Sequence, residues 1–525
     1  MDRAARNLSG PKLFALYFLV HGALAWWFIA GSVEVGPGAS EGFPLDDAWI
    51  HMVYARSFAT GGGFAYNPGE AEAGFTSLLW VVVLAPTVWL GKLVGTTVWW
   101  VKLWGVACAS AACLFAHLIL RELSARESAA WLAGLCVCFD PGLAFAQISG
   151  MEVPLAIACM LAGALGLLRK DPRLAGLGLA FAALTRPELA VWTSLGVAAF
   201  AYELYRARKG SEAEGLRPAS ARDLLWLVLP SAIGGSSWIA YCLYATGRPL
   251  PNTFYAKFST LESDFGQSLE VIFTQMLPRM PSVAVGICLV AIGAGMLHLL
   301  RANDHHPWPL RATLALYPIV FAVLLARAHQ LVEGDAYYWA RYVQPIVGLI
   351  IILIVLGLDQ LWGAPDDGRA RELRVAGRVL CCVHLGIALL MTVPRMLEDR
   401  HRYATDSQNI HEMQVFVGKQ LAEHTAATDI IASVDAGAVR YFSDRKVIDI
   451  RGLNHHEVLR DGFSAVEQRL EPRFSVLFRR EFVQLPADGN RRLVQTAEAE
   501  EYTLCRCDQE VLFVVERAWS DEDKN

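Results

Sequence analysis

The chain has 525 residues, 54% of them hydrophobic and 18% charged, with a formal net charge of −5. Over this length such a balance excludes an ordinary soluble domain, and apolar stretches near the length of a membrane crossing recur along most of it. The small negative charge, with Lys and Arg held in short loops, gives no surface for a nucleic-acid partner.

Candidate spans fall, in order, near residues 13–33, 75–95, 98–120, 128–147, 150–168, 174–205 (two short helices), 223–245, 281–300, 310–328, 342–362 and 379–395. The expected fold is therefore mainly α, a polytopic bundle of roughly 10–12 membrane helices. The Leu13–Ser32 stretch is too long for a signal-peptide core and lacks a small-x-small cleavage site, so it is expected to remain as a span. Basic residues orient the bundle. Arg3, Arg6 and Lys12 put the N-terminus in the cytoplasm, and Arg169–Arg173, Arg206–Arg222, Arg301–Arg311 and Arg369–Arg378 mark cytoplasmic loops. Parity then puts 34–74, Gln147–Glu152, 247–280, 329–341 and everything after about 396 outside. Keeping Arg121 and Arg126 inside as well requires 75–95 to enter and leave on one side. Two arrangements stay open: Pro86 divides that stretch into half-helices, or it is a simple span and the next two loops flip.

Nine of the eleven cysteines lie in apolar spans, where thiols behave as small hydrophobes. Cys136 and Cys138, with no further Cys or His nearby in sequence, make a poor zinc pair. Cys505 and Cys507 are too close for a comfortable mutual disulfide.

From about residue 400 the chain becomes charged, and short apolar runs alternate with polar helical stretches. Ser407–His424 reads as an amphipathic helix, and Asp429–Asp435, Lys446–Ile450, Phe474–Phe478 and Val511–Val515 read as strands. The expected division is a membrane module over 1–398, including the first outside loop 34–74, and a small extracytoplasmic α/β domain over 399–525. The turn Asp435-Ala436-Gly437-Ala438 reads either as a ligand loop or as a plain strand-to-helix connection.

The outside loops hold the residues able to carry chemistry. In the first, Phe43-Pro44-Leu45-Asp46-Asp47-Ala48-Trp49-Ile50-His51 opens a short amphipathic helix, Asp46–Thr60, with His51, Tyr54 and Arg56 along it. The two aspartates read as an N-cap or as a general base tuned by burial and partner charges. Glu152 follows Ser149-Gly150-Met151. Arg186 and Glu188 interrupt an apolar stretch, either as a structural ion pair or facing a polar cavity. Arg248, Asn252, Tyr255 and Lys257 lie in the 247–280 loop, where phosphate binding and headgroup anchoring both explain cations. Arg341 heads the next span after Tyr337, Tyr338 and Trp339.

Taken as a set, several stretches resemble the membrane-embedded glycosyltransferases of the GT-C superfamily, most closely the arabinofuranosyltransferase-like branch using polyprenyl-phosphate sugars. They are Leu45–Ile50 with Tyr54–Arg56, Asn67–Glu70 with Gly74–Ser77, Gly150–Glu152, Leu184–Glu188, Pro249–Lys257, and Asp435–Ala438 with Val447–Leu453. The family often has Tyr where Trp49 stands, and here Arg341 and Tyr342 occur in reversed order. The resemblance implies a multi-pass enzyme of the bacterial cytoplasmic membrane with its active site outside. It would move a sugar, with inversion, from a polyprenyl-phosphate donor to a glycan, lipid or protein acceptor. On that reading Asp46 or Asp47 is the base, while Arg56, Arg186, Lys257 and Arg341 hold the phosphate. His51, Glu152, Glu188, Asn252 and Tyr255 orient sugar or acceptor. The leaving group is already an anion, which can make a divalent metal unnecessary, but the resemblance includes relatives that use one, and Asp46, Asp47 and Glu152 offer oxygens suited to Mg or Mn. Two other classes remain: a transporter or flippase of lipid-linked sugars, with Arg186 and Glu188 along its path, and a non-catalytic membrane scaffold.

Overall fold

The computed structural model describes residues 9–31, 35–95, 97–123, 126–208, 220–258, 265–276, 282–301, 306–328, 341–363, 371–485, 490–499 and 510–518. Apolar sequence becomes helix throughout the first part, because a lipid environment leaves backbone groups only intrahelical partners. Five described helices are long and apolar enough to cross a membrane: Gly10–Ala30, Thr97–Leu123, Arg222–Thr246, Trp308–Arg327 and Arg341–Trp362. Shorter apolar helices, among them Val153–Leu168 and Pro172–Thr185, pack between them.

The bundle has two chemically distinct ends. At one, basic residues meet acids across helix termini: Arg121 with Glu127, Arg126 with Asp359, and Arg169 with Glu122. At the other end lie the first loop and the tail domain.

The stretch at 75–95, for which two arrangements stood open, is one helix, Leu78–Val94, which runs unbroken through Pro86. Its start is tied to this loop end by Ser77, whose hydroxyl donates to the Thr185 carbonyl at 2.7 Å. Its end leads into Thr97–Leu123, whose Lys102 donates to carbonyls of the first loop, Ala39 and Ser40. In between, Trp80, Val81, Leu84 and Val88 pack into the same core as the helix Asp46–Ala59. Both ends of Leu78–Val94 thus lie on one side. That is the parity the Arg121 and Arg126 positions demand, reached without dividing the helix.

Within the first loop, β1 (Ala65–Asn67) and β2 (Glu70–Ala71) form a small antiparallel pair. The tail carries a five-stranded sheet of β3 (Ile430–Ser433), β4 (Lys446–Asp449), β5 (Phe474–Phe478), β6 (Arg491–Glu498) and β7 (Val511–Arg517), in the order β4-β3-β5-β7-β6. β3 pairs parallel with β4 and β5, while β7 pairs antiparallel with β5 and β6. The expected boundary at 398/399 falls inside the helix Arg371–Ile410, which joins bundle and tail as one rod. A π-helical turn at His411–Val415 then leads to Phe416–His424.

One core fuses tail and first loop. The Trp49 ring packs on Phe43, Tyr441 and Phe442, with centroids 5.0, 4.9 and 4.7 Å away. Asn67 continues the β4 edge with its side chain, donating to the Val447 carbonyl and accepting from its N–H, each at 3.0 Å. Lys446 pairs with Glu70 across the same seam.

Candidate active site

The helix Asp46–Ala59 begins after Leu45, so both aspartates lie in its first turn and neither side chain caps it. Their surroundings differ completely. The Asp46 carboxylate points into the tail and accepts from the backbone N–H groups of Gly437 and Ala438, each at 2.7 Å. It sits at the carboxyl end of β3, where parallel strands commonly present a ligand-binding crevice. Position 437 has to be glycine, since a Cβ there would come within 2.1 Å of the Asp46 carbonyl oxygen. Burial and the adjacent Asp435 carboxylate push Asp46 well above the usual carboxylate range, against the pull of the two N–H bonds. Burial likewise pushes Asp435 up to about 6, although Gln414 donates to it at 2.7 Å. The Asp435–Ala438 turn is therefore a strand-to-helix connection whose ligand is another part of the chain.

Asp47 turns the other way. Its side chain is 32% exposed and meets the buried Arg341 guanidinium at 2.7 Å. These two border a cleft with His51, Glu152, Arg186 and Tyr342. Arg186 bonds Glu152 at 2.8 Å and Glu188 at 2.6 Å. The Arg186 and Arg341 guanidinium carbons each stand 5.1 Å from the Tyr342 ring centroid, so that one aromatic face system supports both cations. His51 is buried at the cleft wall. Burial pulls its imidazole below the ordinary range, opposed by Glu152 and Asp47. Among the described residues, His51 Nδ1 and Glu152 Oε2 have no hydrogen-bond partner, which leaves polar atoms at the cleft ready for a ligand.

The other sequence-predicted residues are placed elsewhere or only border this group. Arg56 lies away from the cleft: it donates to the Tyr441 carbonyl at 3.0 Å, pairs with Asp444 at 3.3 Å and stacks over the Tyr441 ring. Its expected place beside a phosphate is corrected by the helix geometry, which carries it one turn beyond the cleft and into the tail seam. Asn252 is buried and donates to Glu72 at 2.8 Å. Tyr255 lies under Arg248, whose guanidinium carbon is 4.9 Å from its ring centroid. Lys257 is on the helix Asn252–Phe258, but its side chain falls outside the described residues, as do Tyr337, Tyr338 and Trp339.

Glu72 is the buried acid that sequence reasoning passed over. Its carboxylate accepts from Ala73 N, Asn252 Nδ2, His456 N and His456 Nδ1 at 2.8–3.1 Å. Burial raises its pKa, but the His456 and Asn252 bonds outweigh that and hold it below the ordinary range. The available signal was a carboxylate set among small residues, Ala71-Glu72-Ala73-Gly74, between two recognisable stretches.

Among the described residues, Asp46, Asp47 and Glu152 do not form a group with ligand atoms within 4.8 Å of one another. Asp46 is bonded to the tail, and Glu152 Oε1 to Arg186.

Fold and cleft together define a polytopic helical membrane protein with a C-terminal α/β region. Solved structures it resembles include ArnT from Cupriavidus metallidurans bound to undecaprenyl phosphate, at 12% identity and a TM-score of 0.58, covering 95% of this chain and 97% of that one. The apo form of the same protein matches at 13% identity and a TM-score of 0.53, covering 97% and 98%. A family model described as a domain of unknown function, DUF8728, matches residues 407–514 in the tail. No curated protein sequence matches the chain.

Proposed function

We propose that this chain is a membrane glycosyltransferase that takes a sugar from a polyprenyl-phosphate carrier, with Asp47 as the base and Arg341 and Arg186 as the phosphate clamp. The observation that carries the reading is the cleft itself: one accessible carboxylate beside two buried arginines, at the loop end of a GT-C bundle. The structural neighbour that holds undecaprenyl phosphate supports a carrier of that class.

In the proposed reaction the donor phosphate enters between Arg341 and Arg186 and competes with Asp47 for Arg341. Asp47, released from that pair, accepts the proton of an acceptor hydroxyl as its oxygen bonds to the anomeric carbon. The bond from anomeric carbon to phosphate oxygen breaks on the opposite face, giving inversion. Polyprenyl phosphate departs carrying the electron pair, and the two guanidinium groups stabilise its growing charge. Arg suits this task because its planar fork matches two phosphate oxygens at once. Glu152 and Glu188 hold Arg186 in place, and His51 with Glu152 Oε2 offers hydrogen bonds to sugar or acceptor.

The positive-end rule supports a cytoplasmic location for the Arg121, Arg126 and Arg169 end, hence a cleft and tail outside a bacterial cytoplasmic membrane. The arabinofuranosyltransferase-like stretches favour a pentose or hexose donor and an acceptor in the cell envelope. The test is binding of undecaprenyl phosphate to the full chain in nanodiscs. Arg341→Gln is expected to weaken it about tenfold or more, the loss typical of a charged hydrogen-bonding partner. Unchanged affinity in a folded Arg341→Gln protein contradicts the clamp.

A further inference from the structure

Outside the cleft, the deepest polar cluster of the described residues lies inside the helical bundle. His21 comes from Gly10–Ala30, Cys113 from Thr97–Leu123 and Cys138 from Glu127–Cys138. All three are buried, and one ligand atom from each lies within 4.8 Å of the others. His21 Nε2 is 3.1 Å from Cys113 Sγ, and the Cys138 sulfur stands within 4.8 Å of both. Both thiols are free. The sequence shows Cys138 only beside Cys136; folding replaces that partner with two ligand types from distant helices.

Three further observations make this more than a packing coincidence. His21 is fully buried midway along an apolar span, where an ionisable side chain is costly and marks function. Its Nδ1 has no hydrogen-bond partner among the described residues, so the thiols do not satisfy the ring. The third helix also breaks at the cluster. It ends at Cys138, and a new helix, Pro141–Ala146, starts two residues on, with Asp140 accepting from Leu143 N at 2.9 Å. Interrupted helices at membrane depth are tolerated where they serve a buried site.

We propose that His21, Cys113 and Cys138 form a structural zinc site that pins three membrane helices together. Soft sulfur with imidazole nitrogen selects a thiophilic ion over Mg or Ca. Charge selects a divalent one: two thiolates and a neutral imidazole cancel Zn²⁺, as a low-dielectric interior demands. On binding, each thiol releases one proton to water and forms one Zn–S bond, with no change of oxidation state. The fourth position falls to the Tyr17 hydroxyl, within electrostatic reach of both thiols, or to one water.

The experiment loads the purified full chain, in detergent, with Zn²⁺ or Co²⁺ and measures bound metal by mass spectrometry and Co²⁺ thiolate absorption. The wild type is expected to hold about one ion per chain with a thiolate-to-cobalt band. Cys113→Ser and Cys138→Ser are expected to lose metal about tenfold or more, while Cys136→Ser, outside the cluster, retains it. A folded wild type without bound zinc or thiolate band overturns the site even if the variants misfold. A Cys113–Cys138 disulfide in the freshly purified protein, or equal zinc content in all variants, overturns it as well.

Discussion

The two carboxylates at the head of Asp46–Ala59 are neighbours in sequence and face different regions of the molecule. Asp46 is held against the tail domain and bonded to two of its backbone N–H groups, while Asp47 lines an open cleft opposite a buried arginine. The cause is helical: successive side chains diverge by about 100° around the axis. One turn at a domain seam can therefore supply a fastening group and a reactive group side by side. The comparison teaches that an acidic pair in such a loop need not act as a pair.

The sharpest stress on the cleft side comes from Arg186. Its pairs with Glu152 and Glu188 are buried or partly buried, so Arg186→Gln leaves carboxylates without their cation. A loss of about 3–5 kcal/mol in stability is expected, read as a lower melting temperature in detergent. Adding Glu152→Gln should recover part of it, and purely additive losses in that cycle contradict the pairing.

On the seam side, Asp46→Asn leaves one of the Gly437 and Ala438 N–H groups facing an amide nitrogen that cannot accept. The expected loss is about 1.5–3 kcal/mol, with faster proteolysis around the 435–438 turn as a local readout. A pH test follows from Asp435. Its pKa is raised in the folded protein, to about 6, so its contribution is full below ~4 and is lost as pH rises through 6. Stability should fall between about pH 4 and 6, and Asp435→Asn should flatten that slope. The smallest effect is expected at Arg56. Its ion pair with Asp444 is largely solvent-exposed, so Arg56→Ala should change stability by about 0–1 kcal/mol and leave carrier binding intact.

Much of the bundle was legible because hydropathy and span length are local properties. Helices appear near most of the stretches read from the sequence, and the four predicted strands match β3, β4, β5 and β7. The packing of Leu78–Val94 on Asp46–Ala59 was not legible, since such an apolar helix has the composition of a span. Asp47, Glu152, Arg186 and Arg341 meet in one cleft as the loop-side reading grouped them. What stayed hidden were partners separated by hundreds of residues: Asp46 with Gly437, Glu72 with His456, and Cys138 with His21. No local pattern encodes such contacts, and Arg56 misled because a cation near an acidic pair looks like a phosphate ligand until its helix face is known.

The division between the two aspartates is tested most directly by sugar transfer from a polyprenyl-phosphate donor in matched Asp46→Asn and Asp47→Asn proteins, both checked for folding. Asp47→Asn is expected to cut the rate about 10²–10⁴-fold with carrier binding no weaker than in the wild type, as loss of a general base does, while Asp46→Asn keeps a measurable fraction of the wild-type rate. An Asp47→Asn enzyme as fast as wild type, or one outperforming Asp46→Asn, contradicts the account.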